Sequence, residues 1–266
     1  MNKSKIEWCD YTWNPVTGCL HECPYCYARK IANRFKGYTT GGIMNLKEHK
    51  EETKELHVLD KNLWKAPKVL RSTRLNKAPY PFGFDPTFHK YRLIEPFLIN
   101  KPSRIFVCSM ADLFGEWVPV SWIEEVFKTC EAAPQHRYLF LTKNPKRYNS
   151  IAANDNLPPQ HWYGYTQTGQ ITIVPQLYSN YYTFVSIEPL LSMPDLQFLK
   201  YDNTKWVIIG AETGNRKNKV IPDRKWIESI MDQCKAAGVP VFLKNSLKAL
   251  MGDNFIQEWP EEMNTF

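Results

Sequence analysis

The sequence predicts an α/β fold built on a parallel sheet, and three observations lead there. Short, near-continuous apolar runs rich in β-branched and aromatic residues recur at 104–109, 137–142, 162–166, 183–187, 206–210 and 239–244. Such runs suit strands buried on both faces. Amphipathic helical patterns fall between several of them, and the links are short. Strict alternation of this kind gives either an open doubly wound sheet or a partial barrel.

The elements follow in chain order. Cys26 is placed at the start of a helix running to Phe35, with Ile31, Ala32 and Phe35 inward and Arg29, Lys30, Arg34 and Lys36 outward. Residues 37–67 are charged and read as helical, most strongly over 49–55. Residues 71–89 mix prolines with aromatics, such as Pro79, Tyr80, Pro81 and Phe82, and read as a loop or lid. Over 122–132, Trp122, Ile123, Val126, Phe127 and Cys130 share one helix face. Ser121 suits its N-cap, with Glu124 completing a capping box. Over 226–237, Trp226, Ile227, Ile230, Met231 and Cys234 form the same stripe, and Gly238 is the stop. Cys130 and Cys234 therefore belong to the core. No internal repeat or low-complexity linker interrupts the chain. A single domain over 1–266 is expected, with insertions at about 37–67 and 71–89.

Composition narrows the class. The chain has 266 residues, of which 43% are hydrophobic, enough for one large core and too many for a disordered protein. No run approaches the roughly 18 apolar residues of a membrane span, so no membrane partner is expected. The first residues, Met1 to Trp8, lack an apolar signal core, and the sequence reads as cytoplasmic. Seven cysteines, three of them clustered, argue for metal ligation and free thiols over a disulfide framework. The net charge of +7 leans toward an acidic partner such as nucleic acid, although an ordinary basic enzyme has the same balance.

The clustered cysteines carry the chemistry. Cys19, Cys23 and Cys26 stand in a C-x3-C-x2-C spacing, with Tyr25 and Tyr27 flanking the last. Iron–sulfur clusters are held by thiolates, and a [4Fe–4S] cube normally takes four. Three closely spaced thiolates hold three irons and leave the fourth iron free for an outside ligand. Gly18 lets the backbone pass close to such a group. The rival is zinc, with Cys9, His21 or Cys108 as fourth ligand, but structural zinc usually uses two paired knuckles and no second C-x2-C is present.

Residues 14–29, NPVTGCLHECPYCYAR, resemble the cluster loop of the radical SAM superfamily. Their nearest likeness is to the branch containing spore photoproduct lyase and DNA repair photolyase-like proteins. Residues 104–114 (RIFVCSMADLF), 141–145 (LTKNP), 184–191 (FVSIEPLL) and 207–212 (VIIGAE) resemble a phage and bacterial family of uncertain function. Together these pieces extend the likeness over about residues 10–245. The resemblance implies a partial (βα) barrel of the radical SAM type with parallel strands. It also implies a [4Fe–4S] cluster on Cys19, Cys23 and Cys26, and S-adenosylmethionine (SAM) chelating the open iron. One-electron reduction, from a donor such as flavodoxin or ferredoxin, would split SAM to a 5′-deoxyadenosyl radical that takes hydrogen from the substrate. In the superfamily the aromatic before the last cysteine lies near the adenine, a role that falls to Tyr25 here.

Parallel α/β folds place their chemistry at strand C-termini. Ser109, Met110 and Asp112 follow one predicted strand, Thr142 and Lys143 the next, and Thr166 and Gln167 the one after. Ser186 with Glu188, Gly210 with Glu212, and Lys244 with Asn245 end the last three. Ser186 and Glu188 are the preferred SAM contacts, since a polar pair on a middle strand commonly meets ribose or methionyl groups in such barrels. Gly210-Ala211-Glu212 is similar to the superfamily's Gly-Gly-Glu element but has Ala211 for the second glycine and lies far from the cysteines. Lys143 suits a carboxylate or phosphate, or plain solvation. Cys108, on a buried-looking strand, is either a small hydrophobe or, as the likeness to spore photoproduct lyase suggests, a thiol hydrogen donor and so catalytic. The expected substrate is a nucleotide or nucleic acid, with Arg71, Arg74 and Lys77 as phosphate contacts. The alternatives are radical modification of a peptide or small metabolite, and a non-catalytic metal- or cluster-bearing protein that binds nucleic acid.

Overall fold

A computed structural model describes residues 1–38, 56–65, 76–154, 156–169, 177, 180–201 and 203–264. The chain opens with strands β1 (Asn2–Lys3), β2 (Tyr11–Trp13) and β3 (Val16–Thr17), then helix α1 (Tyr27–Arg34). Four short strands follow: β4 (His57–Leu59), β5 (Trp64–Lys65), β6 (Asn76–Lys77) and β7 (Thr87–His89). The repeating part then runs β8 (Arg104–Val107), α2 (Val120–Ala132), β9 (Arg137–Thr142), α3 (Lys146–Ala152) and β10 (Trp162–Thr166). It ends with β11 (Tyr182–Ile187), α4 (Phe198–Tyr201), β12 (Thr204–Ile209), α5 (Arg224–Ala236), β13 (Val241–Leu243) and α6 (Lys248–Met251).

Eight strands form the main sheet in the order β1-β2-β8-β9-β10-β11-β12-β13. Only the β1–β2 pair is antiparallel. The sheet is not closed: among the described residues β1 and β13 are its edges. Spatial order follows chain order, without the reversal that marks a doubly wound fold. All seven parallel strands therefore end on one side.

Alternation along the strands divides the core into layers. Ile105, Val107, Tyr138, Phe140 and Tyr163 point to one face and pack on Trp122, Val126 and Phe127 of α2. Further along that face Val185, Ile187, Val207 and Ile209 pack on Ile227, Ile230 and Cys234 of α5. The opposite face is aromatic: Phe106, Trp162, Phe184, Trp206 and Phe242 lie under Trp8 from the N-terminal segment and Met263 from the C-terminal one. Gly164 makes this layer possible, because a Cβ there would stand 2.2 Å from the Phe184 ring.

The six expected strands are all present, with ends shifted by at most two residues. Three expectations need correction. The N-cap of α2 is Pro119, not Ser121, and no side chain caps it; the extended backbone of Pro119 turns into the helix two residues early. Helix α1 buries Ala28 and Ala32, while Ile31 and Phe35 are exposed. The described parts of the two insertions contain short strands where helix was expected in the first, while 78–86 in the second is loop as expected. β7 pairs with both β3 and β4, and β5 pairs with β6. Non-local pairing outweighs local propensity here. Residues 49–55, Arg71 and Arg74 lie outside the described residues, and Lys77 is exposed on β6. The stop of α5 is as expected. Gly238 takes φ +68°, its N–H reaches the Lys235 carbonyl at 3.1 Å, and the Val239 N–H reaches that of Cys234 at 2.9 Å, a Schellman ending. No helix among the described residues is long and apolar enough to cross a membrane.

Three buried histidines, His89, His136 and His161, make the fold acid-sensitive, each held down first by burial. Burial holds His161, packed among Phe127, Tyr138 and Phe140, down to about 4. Burial, then the neighbouring Arg92 charge, holds His89 down to about 2. Both folded values lie below the unfolded value of about 6.5, so the unfolded chain takes up protons first as pH falls. Their contribution is complete above about pH 6.5 and shrinks below it, by about 2 kcal/mol per histidine at pH 5. Urea midpoints measured from pH 7 to 5 are expected to fall, and His161→Phe to flatten that slope. An unchanged slope in the variant would contradict the assignment.

Candidate functional site

The cysteine loop leaves β3 and is pinned on both sides. The Gly18 N–H donates to the Met110 carbonyl at 2.9 Å, and the Cys19 N–H to the Phe84 carbonyl at 3.2 Å. Gly18 has φ +88°, and a Cβ there would lie 2.3 Å from the Asp85 carbonyl oxygen. Only glycine fits so close an approach. The turn on the other side of the loop, after β8, is fixed by the Asn14 side chain. Its oxygen accepts the Met110 N–H at 2.8 Å and the Ser109 hydroxyl at 3.2 Å. Cys26 then caps α1, its sulfur accepting the Arg29 N–H at 3.3 Å, while Arg29 Nη2 donates back to the Cys19 carbonyl at 3.3 Å.

The loop opens onto a cavity of about 360 Å³ at the C-terminal ends of the parallel strands. Cys19, Cys23 and Cys26 line it, together with Tyr25 from the same loop. From the strand ends come Cys108 after β8, Thr142 and Lys143 at β9, and Thr166 at β10. Ser186 and Glu188 enter from β11, Glu212 from beyond β12 and Lys244 from the end of β13. Cys19, Cys23, Cys26, Tyr25, Cys108, Ser186, Glu188 and Glu212 thus border one cavity, while the strand-end residues Met110, Gly210 and Asn245 are not in its lining. Gln167 is buried but not in the lining. Cys9 is buried away from the lining, its thiol donating to the Ser4 hydroxyl at 3.1 Å. Cys130 and Cys234 are core, as expected.

Individual groups differ in how far they are already satisfied. Glu212 is held by Arg216 through two hydrogen bonds of 2.6 and 2.7 Å, which keep its carboxyl below the usual range. Glu188 pairs with Lys244 across the end of β12, where Gly210 leaves room: a Cβ there would meet Lys244 Cδ at 3.0 Å and Glu188 Cγ at 3.3 Å. Lys143 has no ion-pair partner among the described residues. It stands 5.6 Å from the Tyr25 ring centre, and burial pulls its ammonium down. The buried Ser186 hydroxyl and Trp8 indole N–H, both on cavity-lining residues, make no hydrogen bond among the described residues. An unmet buried polar group costs about 1–3 kcal/mol, so both are suited to a polar ligand. Cys108 has φ +60°, uncommon for a residue with a side chain, and burial pushes its thiol up to about 12.

Asp112 was among the strand-end candidates, but its role as the site's hub was not foreseen. Asp112 is buried and accepts four hydrogen bonds, from the Phe114 N–H at 3.0 Å, the Thr142 hydroxyl at 2.7 Å, the Lys143 N–H at 2.8 Å and His21 Nε2 at 2.7 Å. It ties the cysteine loop to β8 and β9. Its position after β8 was the only signal; its partners are spread over 31 residues on one side and 91 on the other. Trp8 gave none, since it precedes every motif.

The donor set suits a thiophilic metal group: three thiols on one short loop, beside a glycine that admits close approach. Burial pushes the Cys19 thiol up to about 12, so ligation there would displace a proton. As they stand, no three His, Cys, Asp or Glu side chains among the described residues converge on a single ion position.

The chain belongs to a family described as protein of unknown function (DUF5131), whose sequence profile matches residues 3–249. No curated protein and no solved structure matches the chain.

Asp112→Ala should remove the acceptor for four donors at once. A loss of about 3 kcal/mol or more is expected in urea unfolding. Asp112→Asn should fall between, since its amide nitrogen faces donors. An alanine variant within about 1 kcal/mol of the parent would show that water replaces the carboxylate.

Proposed function

We propose that this DUF5131 member is a radical SAM enzyme on a partial (βα) barrel. Cys19, Cys23 and Cys26 would hold three irons of a [4Fe–4S] cluster, and SAM would lie in the cavity beside them. The observation that carries this reading is the shared lining: one three-cysteine loop and the polar ends of consecutive parallel strands border the same space. The in-order winding of the sheet agrees with a barrel-type fold. When bound, the cluster supplies one electron that splits SAM into methionine and a 5′-deoxyadenosyl radical. The electron would come from a small donor protein such as flavodoxin or ferredoxin.

The chain's own groups would do the rest. Tyr25 offers its ring to the adenine. Ser186 offers its unmet hydroxyl, and Glu188 its carboxylate by exchanging part of its pairing with Lys244. Lys143 suits the methionyl carboxylate or a substrate phosphate. Glu212, already paired with Arg216, would act by shaping the wall rather than by direct contact. Ile6, Trp8, Phe106 and Leu141 give the cavity an apolar side that keeps water from a reactive radical. Cys108 stays a protonated thiol, the form that gives up a hydrogen atom. The substrate is a nucleotide or nucleic acid.

One observation favours a second reading. His21 Nε2 bonds to the Asp112 carboxylate, the arrangement usual for a metal-ligating histidine. Zinc on the three thiolates and His21 would follow, without SAM chemistry.

Anaerobic purification and reconstitution separate the two. About four irons per chain are expected, as an open-corner cube requires, together with slow formation of 5′-deoxyadenosine from SAM and dithionite. Alanine at Cys19, Cys23 or Cys26 should abolish both, while Cys130→Ala should leave both intact. Ser186→Ala should weaken SAM binding about tenfold, the worth of one hydrogen bond of roughly 1.4 kcal/mol. Stoichiometric zinc that His21→Ala releases, with no SAM cleavage, would establish the second reading instead.

A further inference from the structure

We propose that the exposed face of α1 is a docking surface for single-stranded nucleic acid, leading an unpaired base to the cavity mouth. The proposal rests on the cavity being the reaction site. Helices of globular domains bury their apolar stripe. Helix α1 does the reverse: Tyr27, Ile31 and Phe35, spaced four apart on one side, are 50%, 39% and 45% exposed, while only Ala28 and Ala32 face inward. Between them stand Lys30 and Arg34, with Lys36 just beyond, all exposed. No acidic residue occurs from Cys23 to Gly37. Among the described residues none of the three cations joins an ion pair. Lys65 extends the patch, its Nζ donating to the Lys36 carbonyl at 2.6 Å.

Unpaired cations in a row match a chain of phosphates. Aromatic planes interleaved with them match bases, since every base offers a face for stacking. An acidic protein would use the charges but not the planes, and a duplex would hide its bases. Continuity with the site argues the same way. Tyr27 belongs to both surfaces: its ring is half exposed on α1 and also lines the cavity, and its hydroxyl is fixed on the Ser109 carbonyl at 2.9 Å. A base stacked there would stand at the cavity entrance, next to Cys26.

Fluorescence anisotropy tests this with labelled DNA and RNA single strands of about 15 nucleotides, within the usual site sizes, titrated at several salt concentrations. The parent should bind, with affinity falling as salt rises. The Lys30→Ala, Arg34→Ala, Lys36→Ala triple variant should bind at least about tenfold more weakly at low salt, and its log–log salt slope should shrink by about 2, near 0.7 per lost phosphate contact. Phe35→Ala should lose about tenfold, within the range for one stacked base. These side chains are exposed, and thermal unfolding of each variant confirms the fold. Absence of parent binding at low salt, or a triple variant that binds like the parent, would overturn the proposal. So would polyglutamate of matched charge that competes as well as oligonucleotide, which would assign the surface to an acidic protein. Iron content and SAM cleavage read on the same preparations keep a failure of the surface distinct from a failure of the site.

Discussion

The close passage of the backbone at Gly18 is the constraint on which the site depends. At that point the chain runs between the Phe84–Asp85 carbonyls on one side and Met110 on the other. A side chain would drive these segments apart. With glycine in place, the next residue, Cys19, is fixed against the β7 approach, and seven residues later Cys26 is fixed as the cap of α1. The cysteine spacing is therefore expressed in space by anchors the cysteines do not themselves provide. Asn14 and Asp112 complete the frame, the first holding the turn after β8 and the second joining that turn to β9 and to His21.

The sheet supplies the other half of the arrangement. Because the strands run in order and in one direction, each adds its C-terminal residues to the same rim. The aromatic face of the sheet is filled by rings below that rim, and the cavity opens at the rim itself. Large buried rings such as Phe184 and Trp206 take up the volume near the strand middles, and Trp162 that at the start of β10. Small or polar residues, Thr166, Ser186 and Gly210, take over at the ends. The change from aromatic to small along each strand makes room for a cavity. Gly164 under Phe184 is a place where even a methyl group would not fit without movement, and Gly210 under the Glu188–Lys244 pair leaves little room for one.

Much of this was legible in the sequence. The six parallel strands announce themselves because each is buried on both faces and reads as an apolar run. The cysteine loop and the strand-end polar residues follow from spacing and from the rule that parallel sheets work at their C-terminal ends. What was not legible depends on distance in the chain. β2, the first parallel strand of the main sheet, is only three residues, and its Trp13 side chain is satisfied by the Arg92 carbonyl 79 residues away. The strands β4 to β7 have little signal of their own, since they form by pairing with β3 and with one another. The exposed stripe of α1 was misread because a helical period says that three positions share a face, not which way the face turns. Glu212 was legible as a cavity residue, but its pairing with Arg216 was not.

The central claim is that the three-cysteine loop holds a cluster with one open iron facing the cavity. Electron paramagnetic resonance of the reduced, reconstituted protein tests it most directly, with and without SAM. The account predicts a reduced [4Fe–4S] signal that changes in shape and position when SAM is added, and that loses this response in a Glu188→Gln, Ser186→Ala double variant while the signal itself persists. A protein with no such signal, or a signal indifferent to SAM, would contradict it.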